Sequence, residues 1–354
     1  MRPPLVTVLG PILGLSALIT LLVTAFAWPT SQLAPRHLPV GLAGPAPAVE
    51  QVRTGLGTLG PDALDATVFP DRAAAVTAIE NRDIYGAIVI SASGPEVLTA
   101  SAASPAVAQA LSEAARRSAV SMSRVDSPSA TAADPNSNTA PPHHLSPAPQ
   151  PLTTDVVAAP PADPRGAVFG LTLVPMVIGG LLTGAALSLL PVGRAARIGA
   201  ALTVAVVTGC AVTAVLQTWL GVVTGSYLAD AAVAALAIAA TAMAVLGLRA
   251  TLGIAGIGVG AGILVALGIP LSGAMSAPEL LPSGWGTLGA FLPPGAAATA
   301  LRSTAYFDGA GSAAALGILG CWALGGLLLA TIPRPVRLAR PAGRAAATAT
   351  VPTT

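Results

Sequence analysis

Long stretches without a single charged side chain decide what this chain can fold into. Residues 3–35, 166–193, 198–229, 231–248, 250–278 and 309–333 contain no Asp, Glu, Lys or Arg. A run of about 18 or more such residues is long enough to cross the hydrocarbon core of a bilayer as a helix. Only 9% of the 354 residues are charged and 53% are hydrophobic, against roughly 25% charge in a soluble domain. The third run is interrupted by LGVVTGSY, so it reads as one span followed by a break. The pattern predicts six spans, at about 5–27, 168–190, 199–220, 229–248, 252–271 and 312–332. The expected fold is a polytopic α-helical membrane protein with a small α/β extracytoplasmic domain inserted between helices 1 and 2.

The first span has a second reading. Arg2, an apolar stretch and Ala25-Phe26-Ala27 also form the pattern of a secretory signal with an A-x-A cleavage site. Its apolar core of about 20 residues exceeds the 7–15 of a signal peptide, which favours an uncleaved anchor. Both readings place the following segment outside.

Arginine distribution orients the chain. With the N-terminus inside, the inner pieces are 1–4, 191–198, 249–251 and 333–354. They hold Arg2, Arg194, Arg197, Arg249, Arg334, Arg337, Arg340 and Arg344, while all 15 Asp and Glu fall elsewhere. That is the positive-inside pattern. Both termini are then cytoplasmic and residues 28–165 extracytoplasmic. Trp28, Trp219, Tyr227, Trp285 and Tyr306 gather at the outer interface. The chain has no lysine, which excludes a Walker A phosphate loop and Schiff-base catalysis in this chain.

Within 28–124, HLPVGLAG (37–44), DATVF (65–69), YGAIVIS (85–91) and EVLTAS (96–101) read as strands. Residues 46–58, 71–82 and 105–119 read as helices, with Asp71 as an N-cap. The alternating order predicts a mixed sheet with a parallel component. Residues 125–151 form a Pro/Ser-rich linker expected to be disordered, in which His143-His144 is read as solvated linker. Residues 152–165 hold a final strand, TTDVVAA (153–159), and the lead-in to the five-helix domain at 166–333. A cytoplasmic tail follows at 334–354.

No catalytic constellation emerges, so no enzymatic activity, cofactor, metal site or nucleic-acid partner is expected. Cys210 and Cys321 read as small buried apolar residues of spans three and six. Asp230, at the outer end of span four, reads as an interfacial cap. Span five carries Gly256-x-x-x-Gly260 and Gly258-x-x-x-Gly262, spacings that let helix backbones approach closely. Residues 272–311 read as an outer re-entrant loop. Within it Trp285 anchors a rim and Pro293-Pro294-Gly295 opens a short helix. Arg302 is expected at the outer interface, paired with Asp308, Glu279 or a lipid phosphate.

The segments DRAAAVTAIENRDIYGAIVI (71–90), VLTASAASPAVAQAL (97–111), DPRGAVFGLTLVPMVIGG (163–180) and LPSGWGTLGAFLPPGAAATALRSTAYFDG (281–309) resemble ABC-2-type membrane permeases. The closest likeness is to the actinobacterial branch related to the YhgE/Pip (phage infection protein) group. The resemblance implies an exporter-like permease working as a homodimer in the lipid bilayer, on a lipidic or amphiphilic small molecule, with a separate ATPase subunit as possible partner. Exporter subunits grip that ATPase through an amphipathic helix before span one and a coupling helix between spans two and three. Here Met1 to Pro4 precede span one, and the inner loop is the short PVGRAARI. The alternative is a non-transporting envelope protein whose outer domain is a receptor or assembly platform.

Overall fold

A computed structural model describes residues 16–125 (except 18, 21–22, 30, 58–59, 61 and 92–93) and 152–332. Most of the first expected span, the linker at 126–151 with His143-His144 and the tail at 334–354 lie outside the described residues.

The α/β unit begins with β1 (Leu38–Ala43), which is almost wholly buried, and α1 (Ala46–Gly57). Next come β2 (Leu64–Phe69), α2 (Arg72–Glu80), β3 (Gly86–Ser91), β4 (Gly94–Thr99), α3 (Pro105–Val125) and β5 (Leu152–Asp155). The sheet order is β2-β1-β3-β4-β5. β1 pairs in parallel with both β2 and β3, β3 and β4 form an antiparallel hairpin, and β5 runs parallel to β4. Asp71 caps α2, its side chain accepting the Ala74 N–H at 2.8 Å. That cap aims Ala75, Ala78 and Ile79 at the sheet. β2 is an edge strand, half-buried at Leu64, Ala66 and Phe69 and exposed at Asp65, Thr67 and Val68.

Four helices are long and apolar enough to cross a membrane: α4 (Ala167–Leu189), α5 (Arg194–Ala214, continued by a π-helical stretch to Trp219), α6 (Tyr227–Leu252) and, last in the chain, Ala313–Thr331. Between the last two lie α7 (Ala255–Ala261, continued as a π-helix to Gly268), a 3-10 turn at Pro278–Leu280, α8 (Trp285–Ala290) and α9 (Pro293–Tyr306). The helix Ala313–Thr331 is therefore α10. The fifth expected span forms a shorter helix, Ala255–Gly268. At 1.5 Å per residue it is about 21 Å long, short of the roughly 30 Å hydrocarbon core. Gly253, at φ 70°, breaks the chain before it.

α6 is the hub. Its most apolar stretch is 78% buried, against 39% for α4, 22% for α5 and 17% for α10. Its alanines leave grooves into which the neighbouring helices bring glycines. A Cβ on Gly180 or Gly184 of α4 would sit 2.8 Å from Thr241 Cβ or 2.6 Å from the Ala242 oxygen. A Cβ on Gly209 of α5 would sit 2.6 Å from the Ala235 nitrogen, and one on Gly326 of α10 would run into the Met243 backbone. Small residues thus set the close approach of α4, α5 and α10 to one central helix.

The segment between α7 and α10 does not stand apart as a loop. Phe307 and Ala310 pack into the core of the sheet with Ala75, Ile79 and Ala87. Ala277 and Leu280 pack with Leu38, Val40 and Val107 in a second cluster. Residues from one polypeptide stretch therefore complete two apolar clusters of the α/β unit.

Candidate functional site

The seam between the α/β unit and α9 concentrates the buried charge. Arg82 follows the C-cap Asn81 of α2 and adopts φ 64°, the left-handed conformation usual just after a helix. This turn points its guanidinium at α9, where it donates to the Thr299 oxygen at 3.1 Å and to the Ser303 hydroxyl. It also lies over the Phe307 ring, 5.3 Å from the centroid. Three residues on, the Tyr85 hydroxyl donates to Glu279 Oε2 at 2.8 Å. The Glu279 backbone oxygen accepts the Arg36 N–H at 3.0 Å, and the Arg36 guanidinium donates to the oxygens of Leu280 and Leu281. Trp285 meets Trp28 edge-on, with centroids 5.4 Å apart.

Arg302 is only 6% exposed. It donates to the Ala274 oxygen at 2.7 Å, and its guanidinium lies 5.0 Å from the centroid of Phe169. The expectation of an interfacial arginine paired with Asp308, Glu279 or lipid is corrected: among the described residues no carboxylate forms an ion pair with it. The reason is packing. α9 is buried nearly all round, and Arg302 lies on the side that faces Ala274 and Phe169. Phe169 is held in turn by Asp163, whose Oδ2 accepts its N–H at 2.8 Å at the start of α4.

Burial, with the neighbouring Arg82 charge added, pulls Arg302 down to about 10. Burial also lowers Arg82, while burial and the Glu279 carboxylate raise Tyr85. Arg82, Tyr85, Glu279, Thr299 and Arg302 line a cavity of about 170 Å³. Two guanidiniums and one carboxylate held this way can lock a junction. Their hydrogen bonds run to backbone oxygens and hydroxyls, and no nucleophile–base pair is assembled from them.

The other singled-out residues divide. Pro293 and Pro294 occupy the first turn of α9, and Gly295 packs so closely on the Gly289 backbone that a Cβ would collide. Gly256 packs equally closely on the end of α6, and a Cβ on Gly260 would meet Val245 Cγ2 at 3.2 Å. Gly258 and Gly262 face open space. The two interleaved spacings are therefore not equivalent, because a single face of this short helix touches α6. Cys210 is half-buried but Cys321 is exposed, which corrects its expected burial. Asp230 is corrected as well: it is fully buried, and neither carboxylate oxygen has a hydrogen-bond partner among the described residues. Thr304 lies near it, but turns its hydroxyl to the oxygens of Ala300 and Leu301 at 3.3 and 3.2 Å.

A second cavity, of about 250 Å³, opens between α4 and α5 over α6. Pro175, Gly179 and Thr183 line one side, Thr208 and Val212 the other, and Ile238 the floor. The Thr183 hydroxyl is turned back to its own helix, donating to the Gly179 oxygen at 2.7 Å. The sequence marked neither this groove nor the part played by Arg82, Tyr85 and Glu279. Pro175 inside an apolar helix was the one available signal, since proline disturbs helix regularity.

Comparison with protein-family models, curated proteins and solved structures finds no match to this chain.

Proposed function

We propose that the chain is an ABC-2/YhgE-Pip-like integral membrane permease or export component, moving a lipidic or amphiphilic small molecule across the cytoplasmic membrane. The observation that carries this reading is the groove between α4 and α5. It is apolar, edged by threonines, and lies between two membrane-length helices. Such a groove suits a molecule with an apolar body and few polar groups. In this reading six segments traverse the bilayer, the fifth being the short Ala255–Gly268 helix together with the chain on either side of it. The α/β unit lies outside, both termini lie inside, and two copies work together. The seam at Arg82 and Arg302 then transmits the state of the outer unit to α9 and the bundle.

Gly179 supplies the test, because a side chain there meets nothing within 4 Å and would fill the groove. Cells expressing the wild-type protein should accumulate less of a fluorescent amphiphile than deletion cells. Gly179→Leu should abolish that difference while the protein elutes unchanged from a sizing column. Equal accumulation in wild-type and deletion cells across a panel of amphiphiles would reject transport. The second reading, an envelope receptor or assembly platform, would then stand, favoured by the open edge of β2. Orientation is checked separately in a chain lacking Cys210 and Cys321. A cysteine at Ser312 should react with an impermeant thiol reagent on intact cells, and one at Ala346 should not.

A further inference from the structure

A cavity of about 290 Å³ opens at the end of the bundle opposite the α/β unit, where Arg194, Arg197 and Arg249 converge. The two α5 arginines are three residues apart, hence on one face of its first turn. Arg249 comes from the last turn of α6. Arg194 Nη1 donates to the Thr331 oxygen at 3.3 Å, at the end of α10. Arg197 Nη2 donates to the oxygens of Leu190 and Val192 at 3.0 and 3.3 Å. These bonds hold two guanidiniums at the ends of α4 and α10, yet a guanidinium offers five N–H donors. Arg197 Nε is buried without a hydrogen-bond partner among the described residues. Among the described residues no acidic side chain lines the cavity. Gly193, the N-cap of α5, adds no side-chain cap of its own, so the positive end of that helix faces the same region.

Three like charges around one hollow call for an anion of matching geometry, and guanidiniums bind phosphate oxygens in bidentate fashion. Apart from Ser188, the rest of the lining is apolar: Ile198, Leu246, Ala250, Ala330 and Ile332. An anion that brings its own apolar body satisfies both parts. Basic pockets between membrane helices are known to take anionic headgroups. We propose that this cavity binds a phosphate group, carried by the headgroup of an anionic membrane lipid. The site is distinct from the α4–α5 groove and does not depend on the transport reading.

The test uses the purified full-length protein in a neutral detergent. Phosphatidylglycerol added to the micelles should raise the unfolding temperature, and phosphatidylcholine should not. The Arg197→Gln/Arg249→Gln double variant should need about tenfold more phosphatidylglycerol for the same protection, having lost two charge-assisted contacts. Arg197→Lys should retain part of it, and Arg117→Gln, on the surface of α3, all of it. Inorganic phosphate that protects as well as the lipid, and loses its effect in the double variant, would support the phosphate site and identify the free anion as its source. Equal protection by the two lipids, or undiminished protection of the double variant, would overturn the proposal. If the double variant does not fold, native mass spectrometry of the wild-type protein decides. A retained phosphatidylglycerol adduct is expected, and its absence at conditions that preserve other lipid contacts would refute the site.

Discussion

The Tyr85 hydroxyl reaches Glu279 Oε2 across 194 positions of sequence, fastening the sheet to the turn that precedes α8. Removing the hydroxyl leaves a partly buried carboxylate oxygen without its donor. Tyr85→Phe should therefore lower stability by about 1.5–3 kcal/mol, the range for a hydrogen bond to a charged group. Alkali sharpens the test. An ordinary tyrosine ionises near about 10, whereas burial and Glu279 keep the proton on Tyr85 to higher pH. Above that point the unfolded chain binds fewer protons than the folded one, so stability falls as pH rises. Arg302, lowered to about 10, contributes with the opposite sign. The readout is thus the difference between wild type and Tyr85→Phe in thermal melts across that range. The difference should shrink as pH rises.

Arg82 combines a left-handed backbone with a seam of side-chain contacts, and two substitutions separate the effects. Arg82→Ala and Arg82→Gly both remove the contacts to Thr299, Ser303 and Phe307. Glycine alone removes the cost of a side chain at φ 64°. Arg82→Gly should be more stable than Arg82→Ala by about 1 kcal/mol. Equal melting temperatures would mean that the turn relaxes once the guanidinium is gone.

Arg302 tests whether shape or charge holds α9. Arg302→Met keeps an apolar stem beside Phe169 and removes a buried charge, whereas Arg302→Ala also opens a void. Methionine should be the more stable of the two by about 2–5 kcal/mol. Limited proteolysis at 281–309 should be fastest in the alanine variant. If both are cut alike, the bond to the Ala274 oxygen matters more than the packing.

Glycine substitutions should sort by face. Gly326→Leu places a side chain inside the Met243 backbone and Gly256→Leu inside that of Leu248, while Gly258→Leu points into open space. The first two should lose folded yield, overpacking costing about 1–3 kcal/mol or more. The third should behave as wild type when followed by fluorescence-detected sizing.

The strands and helices of the α/β unit were legible because each has a local cause. Asp71 stands where a cap is needed, and short apolar runs mark the strands, although the last one ends at Asp155 and not at Ala159. The π-helical ends of α5 and α7 were not legible, since a register change within a helix leaves no periodic mark. Span five looked long enough by composition, yet Gly253 and the chain turn after Gly268 shorten it. The seam was hidden for a different reason. Arg82, Tyr85, Glu279 and Arg302 become neighbours only when residues 272–311 pack into the sheet, a contact between distant segments that no periodicity announces. Asp230 looked like an ordinary helix-end acid, and it is buried by packing between segments, with Thr304 of α9 among its neighbours.

The way β5 is seated has its own consequence. Residues 126–151 leave from α3 and return at β5, so both borders of that stretch belong to one unit. The returning strand is held by more than its ladder with β4. The Val156 N–H donates to the Thr99 oxygen at 2.8 Å, the Ser101 hydroxyl donates to Asp155, the Ala102 N–H donates to the Val157 oxygen at 3.0 Å, and the Thr154 hydroxyl donates to Glu96 Oε1 at 2.8 Å. A chain severed between 126 and 151 would therefore still carry these bonds that seat β5. Its two pieces, made as separate polypeptides, should find each other through that strand and rebuild the protein as a two-part assembly.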